Sequence, residues 1–260
     1  MLLFLIFIFG LITGSFLNVV IYRLKSGRNV FFGRSFCPGC KIIIKWYDLV
    51  PVFSFFWLKK QCRYCGKKIS WQYPIVEILS GLIWVLVFNK NLDNFEFLIS
   101  NFQLLNVFYE IFILSALLVI AVYDYKWQII PDKIVFPAII VIFLYNILDS
   151  LRVQNIETFI WQFLIAITAF SFFFSLYFFS SGRAMGFGDA KLAFLIGLFL
   201  SPILSTVAFV LAFTFGAVFG IILLAFTDKT LRSQIAFGPF LVIGTVISFF
   251  FSNFLLRFFS

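Results

Sequence analysis

Two aspartates in an almost uncharged chain carry the most chemistry. Asp189 lies in a polar, glycine-rich gap between apolar runs, Ser181-Gly182-Arg183-Ala184-Met185-Gly186-Phe187-Gly188-Asp189-Ala190-Lys191. Asp124 opens a second gap, Tyr123-Asp124-Tyr125-Lys126-Trp127-Gln128-Ile129-Ile130-Pro131-Asp132. A carboxylate at the edge of hydrocarbon is costly, and its default explanation is function. The plainer alternative is that Asp124 ends one helix and Asp189 caps another. Against it stand Gly186 and Gly188, which would let an extended peptide lie beside a carboxylate, and the polar re-entry Ile130-Pro131-Asp132. There is also no competing nucleophile constellation, because the chain has no histidine. Two carboxylates a few ångströms apart share a proton. The ionised one can take a proton from water while the other donates to a scissile carbonyl or leaving amine. Asp132 is a rival for the first role, although its place after Pro131 also suits capping or loop bracing. Lys191 either steadies a carboxylate or anchors at lipid headgroups.

The elements that must position these groups follow from composition. With 63% apolar and 12% charged residues in 260, an ordinary soluble domain is excluded. At roughly 20 residues per span the chain holds about eight transmembrane helices, an all-α polytopic membrane protein. The 42 phenylalanines read as lipid-facing or interhelical bulk, the run Phe170–Ser175 included. A net charge of +9 raises nucleic acid as a partner, but the basic residues form no single stripe. They fall in alternate connections, as topology signals do, and anionic lipids suffice as their partners.

Met1–Tyr22 (residues 1–22) has no basic residue before its apolar run and no cleavage site, so it reads as a retained first span with its N-terminus outside. Within it, the small residues of Gly14-Ser15 admit a close helix, and Asn18 needs an interior partner. Residues 23–73 carry eleven Lys and Arg against the single acid Asp48, which places this loop in the cytoplasm. It also holds all four cysteines, in Cys37-Pro38-Gly39-Cys40 and Cys62-Arg63-Tyr64-Cys65. Two C-x-x-C knuckles fit four thiolates around a structural zinc with no open position for water; free or redox thiols are the alternative. Asp48–Phe56 is apolar, too short to span, and is expected to lie against the membrane surface.

Residues 74–260 form the remaining membrane portion. Spans are expected at Pro74–Phe88, Leu104–Val122, Ile134–Leu148, Thr158–Phe179, Ala190–Leu200, Pro202–Phe226 and Phe237–Leu256. Between them lie a polar linker, Asn89–Gln103, and a basic turn, Thr227–Arg232. Glu77 either favours a helix dipole or faces the interior. Counting crossings puts both aspartate segments on the side of the cysteine loop, leaving only Lys90, Arg152 and Arg257 of the 20 basic residues outside.

The whole set resembles the prepilin peptidases, the bacterial membrane aspartic proteases. The resemblance rests on Gly14-Ser15-Phe16-Leu17-Asn18, the two knuckles, Asp48-Leu49-Val50-Pro51-Val52 and Tyr73-Pro74-Ile75-Val76-Glu77. It continues through Asp124-x5-Ile130-Pro131-Asp132, Gly186-Phe187-Gly188-Asp189-Ala190-Lys191 and Phe237-Gly238-Pro239-Phe240. It implies Asp124 and Asp189 as the catalytic pair and cleavage of the leader of type IV prepilins or type II secretion pseudopilins at the cytoplasmic face of the inner membrane. It further implies N-methylation of the new terminus with S-adenosylmethionine, for which no local motif stands out. Two other readings are a presenilin-like intramembrane aspartic protease and a non-enzymatic transporter with a zinc-stabilised loop. The cysteine loop and Phe237-Gly238-Pro239 weigh against the first, the lack of an internal repeat of interrupted spans against the second.

Overall fold

The computed structural model of the chain describes residues 1–30, 33–92, 101–183, 185–226 and 235–259. Most of the expected linker within Asn89–Gln103, with Asp93 and Glu96, and the basic turn Thr227–Arg232 lie outside the described residues. Among the described residues ten α-helices follow in order: α1 (Leu2–Ser26), α2 (Phe53–Trp57), α3 (Gln72–Leu92), α4 (Asn101–Trp127), α5 (Asp132–Val153), α6 (Ile156–Phe179), α7 (Phe187–Phe199), α8 (Pro202–Phe226), α9 (Gly238–Phe250) and α10 (Ser252–Phe259). Six of these (α1, α3, α4, α5, α6 and α8) are long and apolar enough to cross a membrane. Helices α7 and α9 are apolar but have only 13 residues each, about 20 Å of helix. The chain is an all-α polytopic membrane protein, its eight expected crossings appearing as six full-length helices and two short ones. The last expected span is broken: α9 ends at Phe250 with Phe251 as its C-cap, and α10 begins at Ser252.

The chain forms two compact units, Met1–Val119 and Ile120–Ser260, which divide within α4. In the first, α1 packs on α3 through glycine. A Cβ added at Gly10 would stand 2.6 Å from the Gly81 Cα, and one at Gly14 2.6 Å from the Glu77 Cα. Asn18 finds its interior partners there, donating to the Tyr73 carbonyl at 3.0 Å and accepting from the Gln72 amide at 3.3 Å. Buried Arg23 closes the end of α1 by donating to the carbonyls of Asn29, Val30 and Gly33. Glu77 faces the interior, where it accepts the Val52 amide proton at 2.7 Å.

In the second unit the same device recurs. Gly197 of α7 lies against Ala166 of α6, with 2.6 Å from its added Cβ to the Ala166 Cα, and Gly244 of α9 lies against the Ala208 backbone of α8. Close backbone approach replaces the hydrophobic force that lipid removes. The phenylalanine run also has one specific member. Phe173 is fully buried, and its ring lies 6.4 Å from that of Phe237, the residue before α9.

Candidate active site

Asp124 sits in the last turn of α4. The helix ends because Gln128 takes φ 54, and its amide donates to the Asp124 carbonyl at 2.7 Å, a left-handed stop of the usual kind. Only Ile129, Ile130 and Pro131 then separate this stop from α5. The Asp124 carboxyl accepts a hydrogen bond at Oδ2 from the Gly238 amide, 2.9 Å away at the first turn of α9. Its approach is tight: an added Cβ at Gly238 would stand 2.6 Å from the same oxygen.

Asp189 occupies the third position of α7 and caps its own helix. Its Oδ2 accepts the Gly186 amide proton at 3.0 Å, while the Asp189 amide donates to the Gly186 carbonyl at 3.1 Å. Both aspartates are nearly inaccessible, 4% exposed for Asp124 and 8% for Asp189. Each therefore presents one oxygen to a glycine N–H at a helix N-terminus, where unpaired amides and the helix dipole favour an anion.

The two glycines before Asp189 serve different ends, and neither adopts a left-handed conformation. Gly186 has ordinary extended φ −80 and contributes its amide. Gly188 is needed for contact, because a Cβ there would meet the Ile130 Cβ at 2.9 Å. Asp132 and Lys191 meet each other, Nζ to Oδ1 at 2.6 Å. The Lys191 ammonium also stands over the rings of Phe187 at 4.7 Å and Phe136 at 5.5 Å. The pair thus ties the start of α5 to the start of α7.

The four cysteines converge within the first unit. All four sulfurs lie within 4.8 Å of one another, with Cys37 and Cys65 3.9 Å apart. A tetrahedral zinc with Zn–S of about 2.3 Å needs sulfurs about 3.8 Å apart, so the donor set fits after slight contraction. The two knuckles repeat the same hairpin 25 residues apart: bridges Phe36–Ile43 and Gln61–Lys68, and hydrogen bonds from the Cys37 amide to the Ile42 carbonyl and from the Cys62 amide to the Lys67 carbonyl. Left-handed Lys41, φ 60, corresponds to Gly66, φ 67. Burial alone would raise the Cys37 thiol, but the Cys40 and Gly39 amides and the neighbouring thiols bring it down to about 7. At Cys65 the Lys67 amide lowers the thiol, yet desolvation and three thiol neighbours push it up to about 11.

Comparison with known proteins follows the same two parts. Residues 8–91 match the Bacterial Peptidase A24 N-terminal domain, and residues 111–221 match the Type IV leader peptidase family. A prepilin leader peptidase/N-methyltransferase of Vibrio cholerae is 34% identical over 258 residues, 94% of each chain. This chain belongs to the type IV leader peptidase family. Similar proteins carry the same description. One from Klebsiella pneumoniae is 32% identical over 75% of this chain and 83% of its own, and one from Bacillus subtilis is 26% identical over 98% and 96%. No solved structure matches the chain. As a leader peptidase it is a membrane-embedded enzyme, and its cysteine cluster can hold a metal ion.

Sequence reasoning gave Gly238 no role beyond its part in a recurring motif. The signal was present in Gly238-Pro239, since a proline in the first helical turn announces a helix start with free amides beside it. Nothing in the sequence said which carboxylate those amides would meet.

Proposed function

We propose that this peptidase uses Asp124 and Asp189 as an aspartic pair to remove the leader peptide of type IV prepilins or type II secretion pseudopilins, at the cytoplasmic face of the bacterial inner membrane. The observation that carries the proposal is two buried carboxyl groups, each held by a glycine amide at a helix N-terminus, on segments that touch where Gly188 meets Ile130. In each group Oδ2 faces that amide, so Oδ1 is the oxygen left to handle protons. One carboxylate takes a proton from water as the water oxygen attacks the scissile carbonyl carbon, and the other carboxylic acid gives its proton to the carbonyl oxygen. Collapse of the tetrahedral intermediate breaks the C–N bond: the first aspartate gives its proton to the leaving amine, and the second takes one back from a hydroxyl of the intermediate, which restores the pair.

A pilin precursor carries a basic leader outside the bilayer and a hydrophobic helix within it, so its cleavage point lies at a membrane boundary. The basic loop between α1 and α3 supports a cytoplasmic orientation, with the N-terminus outside. Zinc held by Cys37, Cys40, Cys62 and Cys65 would brace that loop without an open position for catalysis. The relatives' shared description supports a second activity, transfer of a methyl group from S-adenosylmethionine to the new terminal amine, releasing S-adenosylhomocysteine and a proton.

Mass spectrometry of a prepilin incubated with the purified enzyme, with and without S-adenosylmethionine, tests both activities at once. Cleavage by the wild type and its loss in Asp124→Asn and in Asp189→Asn, both still folded, is the expected result. Full cleavage by either variant overturns the aspartic pair.

A further inference from the structure

Between the two cysteine hairpins the chain makes an aromatic excursion that the protease chemistry does not use. Helix α2 turns only Phe55 inward, against the Trp71 ring at 5.0 Å. Phe53, Phe56 and Trp57 face outward, with Phe53 63% and Trp57 69% exposed. Phe53 stacks on Trp57 at 5.8 Å, and exposed Trp71 extends the same apolar surface through Phe56 at 6.3 Å. Bare aromatic surface of this kind asks for a cover.

Its level relative to the bilayer follows from α3. The amide of Val52, the residue before α2, donates to Glu77. Glu77 lies five residues into that spanning helix, about 7–8 Å from its start. The start of a spanning helix lies at the membrane boundary, so this bond holds α2 within about two turns of that boundary. Val52 is held there at positive φ, φ 60 and ψ −52, at the centre of a strained γ-turn closed by the Phe53 amide on the Pro51 carbonyl, rare for a β-branched residue. The Glu77 bond fixes this strained turn and with it the depth of α2.

The rim of the surface is basic. Lys59, Lys60 and Arg63 follow α2, all exposed, and the Lys60 ammonium stands 4.5 Å over the Trp71 ring. The neighbouring acid, Asp48, is already engaged by Arg63 at 2.7 Å. Aromatic rings at headgroup depth with cations beside them match an anionic lipid surface.

We infer that Phe53, Phe56, Trp57 and Trp71, with Lys59 and Lys60, form an interfacial anchor that seats the cysteine hairpins on anionic phospholipid. The inference does not depend on the protease assignment. The intact protein is reconstituted in phosphatidylcholine vesicles with and without phosphatidylglycerol, using lipids brominated near the headgroup end of the acyl chain. Wild-type tryptophan emission is expected to fall more than that of Trp57→Phe, and the difference to grow with phosphatidylglycerol. In Lys59→Gln/Lys60→Gln the dependence on phosphatidylglycerol is expected to disappear. Three results overturn the inference: equal quenching of wild type and Trp57→Phe, a Trp57 contribution open to aqueous iodide, or shielding of Trp57 that arises only when a purified prepilin is added. The last would assign the surface to a protein partner.

Discussion

A methyl group on Gly238 would press on the Asp124 carboxyl from 2.6 Å, well inside van der Waals contact. Gly238→Ala must therefore move either the carboxyl or the start of α9. A misplacement of about 1 Å at a reacting group costs roughly 100-fold in rate, so prepilin cleavage by this variant is expected to fall by about that factor while thermal stability changes little. Lys191 and Asp132 call for a milder forecast. Asp132 is half exposed in their ion pair, and such pairs are worth about 0–1 kcal/mol. Lys191→Met should lower kcat several-fold through the position of the first turn of α7, leaving KM near its original value. The charge-exchanged double variant Asp132→Lys/Lys191→Asp should recover part of that loss. An unchanged kcat in Lys191→Met would remove the pair from the mechanism.

Among the elements, α1 and α3 approach at two glycines that accept no side chain. Gly14→Leu drives a branched side chain into the α3 backbone and should cost about 1–3 kcal/mol, read as a lower unfolding midpoint in detergent. The hairpins invite the opposite change. Lys41 holds the left-handed position that Gly66 fills in the other copy, so Lys41→Gly should stabilise the loop by about 0.5–1 kcal/mol. Element positions were legible because apolar runs and polar gaps alternate sharply: α5, α6, α7 and α8 begin within three residues of their expected starts. The junction at Phe251 was not, since the apolar run continues through it and only packing decides where one helix stops. Local spacing announced the cysteine cluster, whose two ligand pairs are near neighbours in the chain. The partnership of Gly238 with Asp124 spans 114 residues and leaves no local pattern. Lys191 read better from sequence as a headgroup anchor than as a carboxylate partner, and its pairing with Asp132 rests on how α5 and α7 pack.

Taken whole, the molecule joins a membrane peptidase to a loop whose four cysteines can hold a metal ion. Metal binding requires thiolates, and at Cys65, against the lowering by the Lys67 amide, desolvation with three thiol neighbours pushes the thiol up to about 11. Binding must displace that proton, so affinity rises with pH and weakens as pH falls. Metal analysis of the purified protein should find one zinc per chain near neutral pH and less after acidification. A chelator should make residues 33–69 more sensitive to added protease. Unchanged sensitivity after complete metal removal would deny the ion a bracing role.

The duplicated hairpin sets a rule for how this region can vary. Each copy closes on itself through its own bridge and amide bonds, and each brings two of the four sulfurs. The stretch from Lys45 to Lys60 is thereby a purse whose mouth is drawn shut at both lips. Lengthening or trimming the pouch alters the entropy of closure only as the logarithm of its size. Insertions and deletions within it should therefore be tolerated only away from Asp48–Val52 and α2, whose place the Glu77 bond fixes, while the distance from Cys37 to Cys40 and from Cys62 to Cys65 admits none.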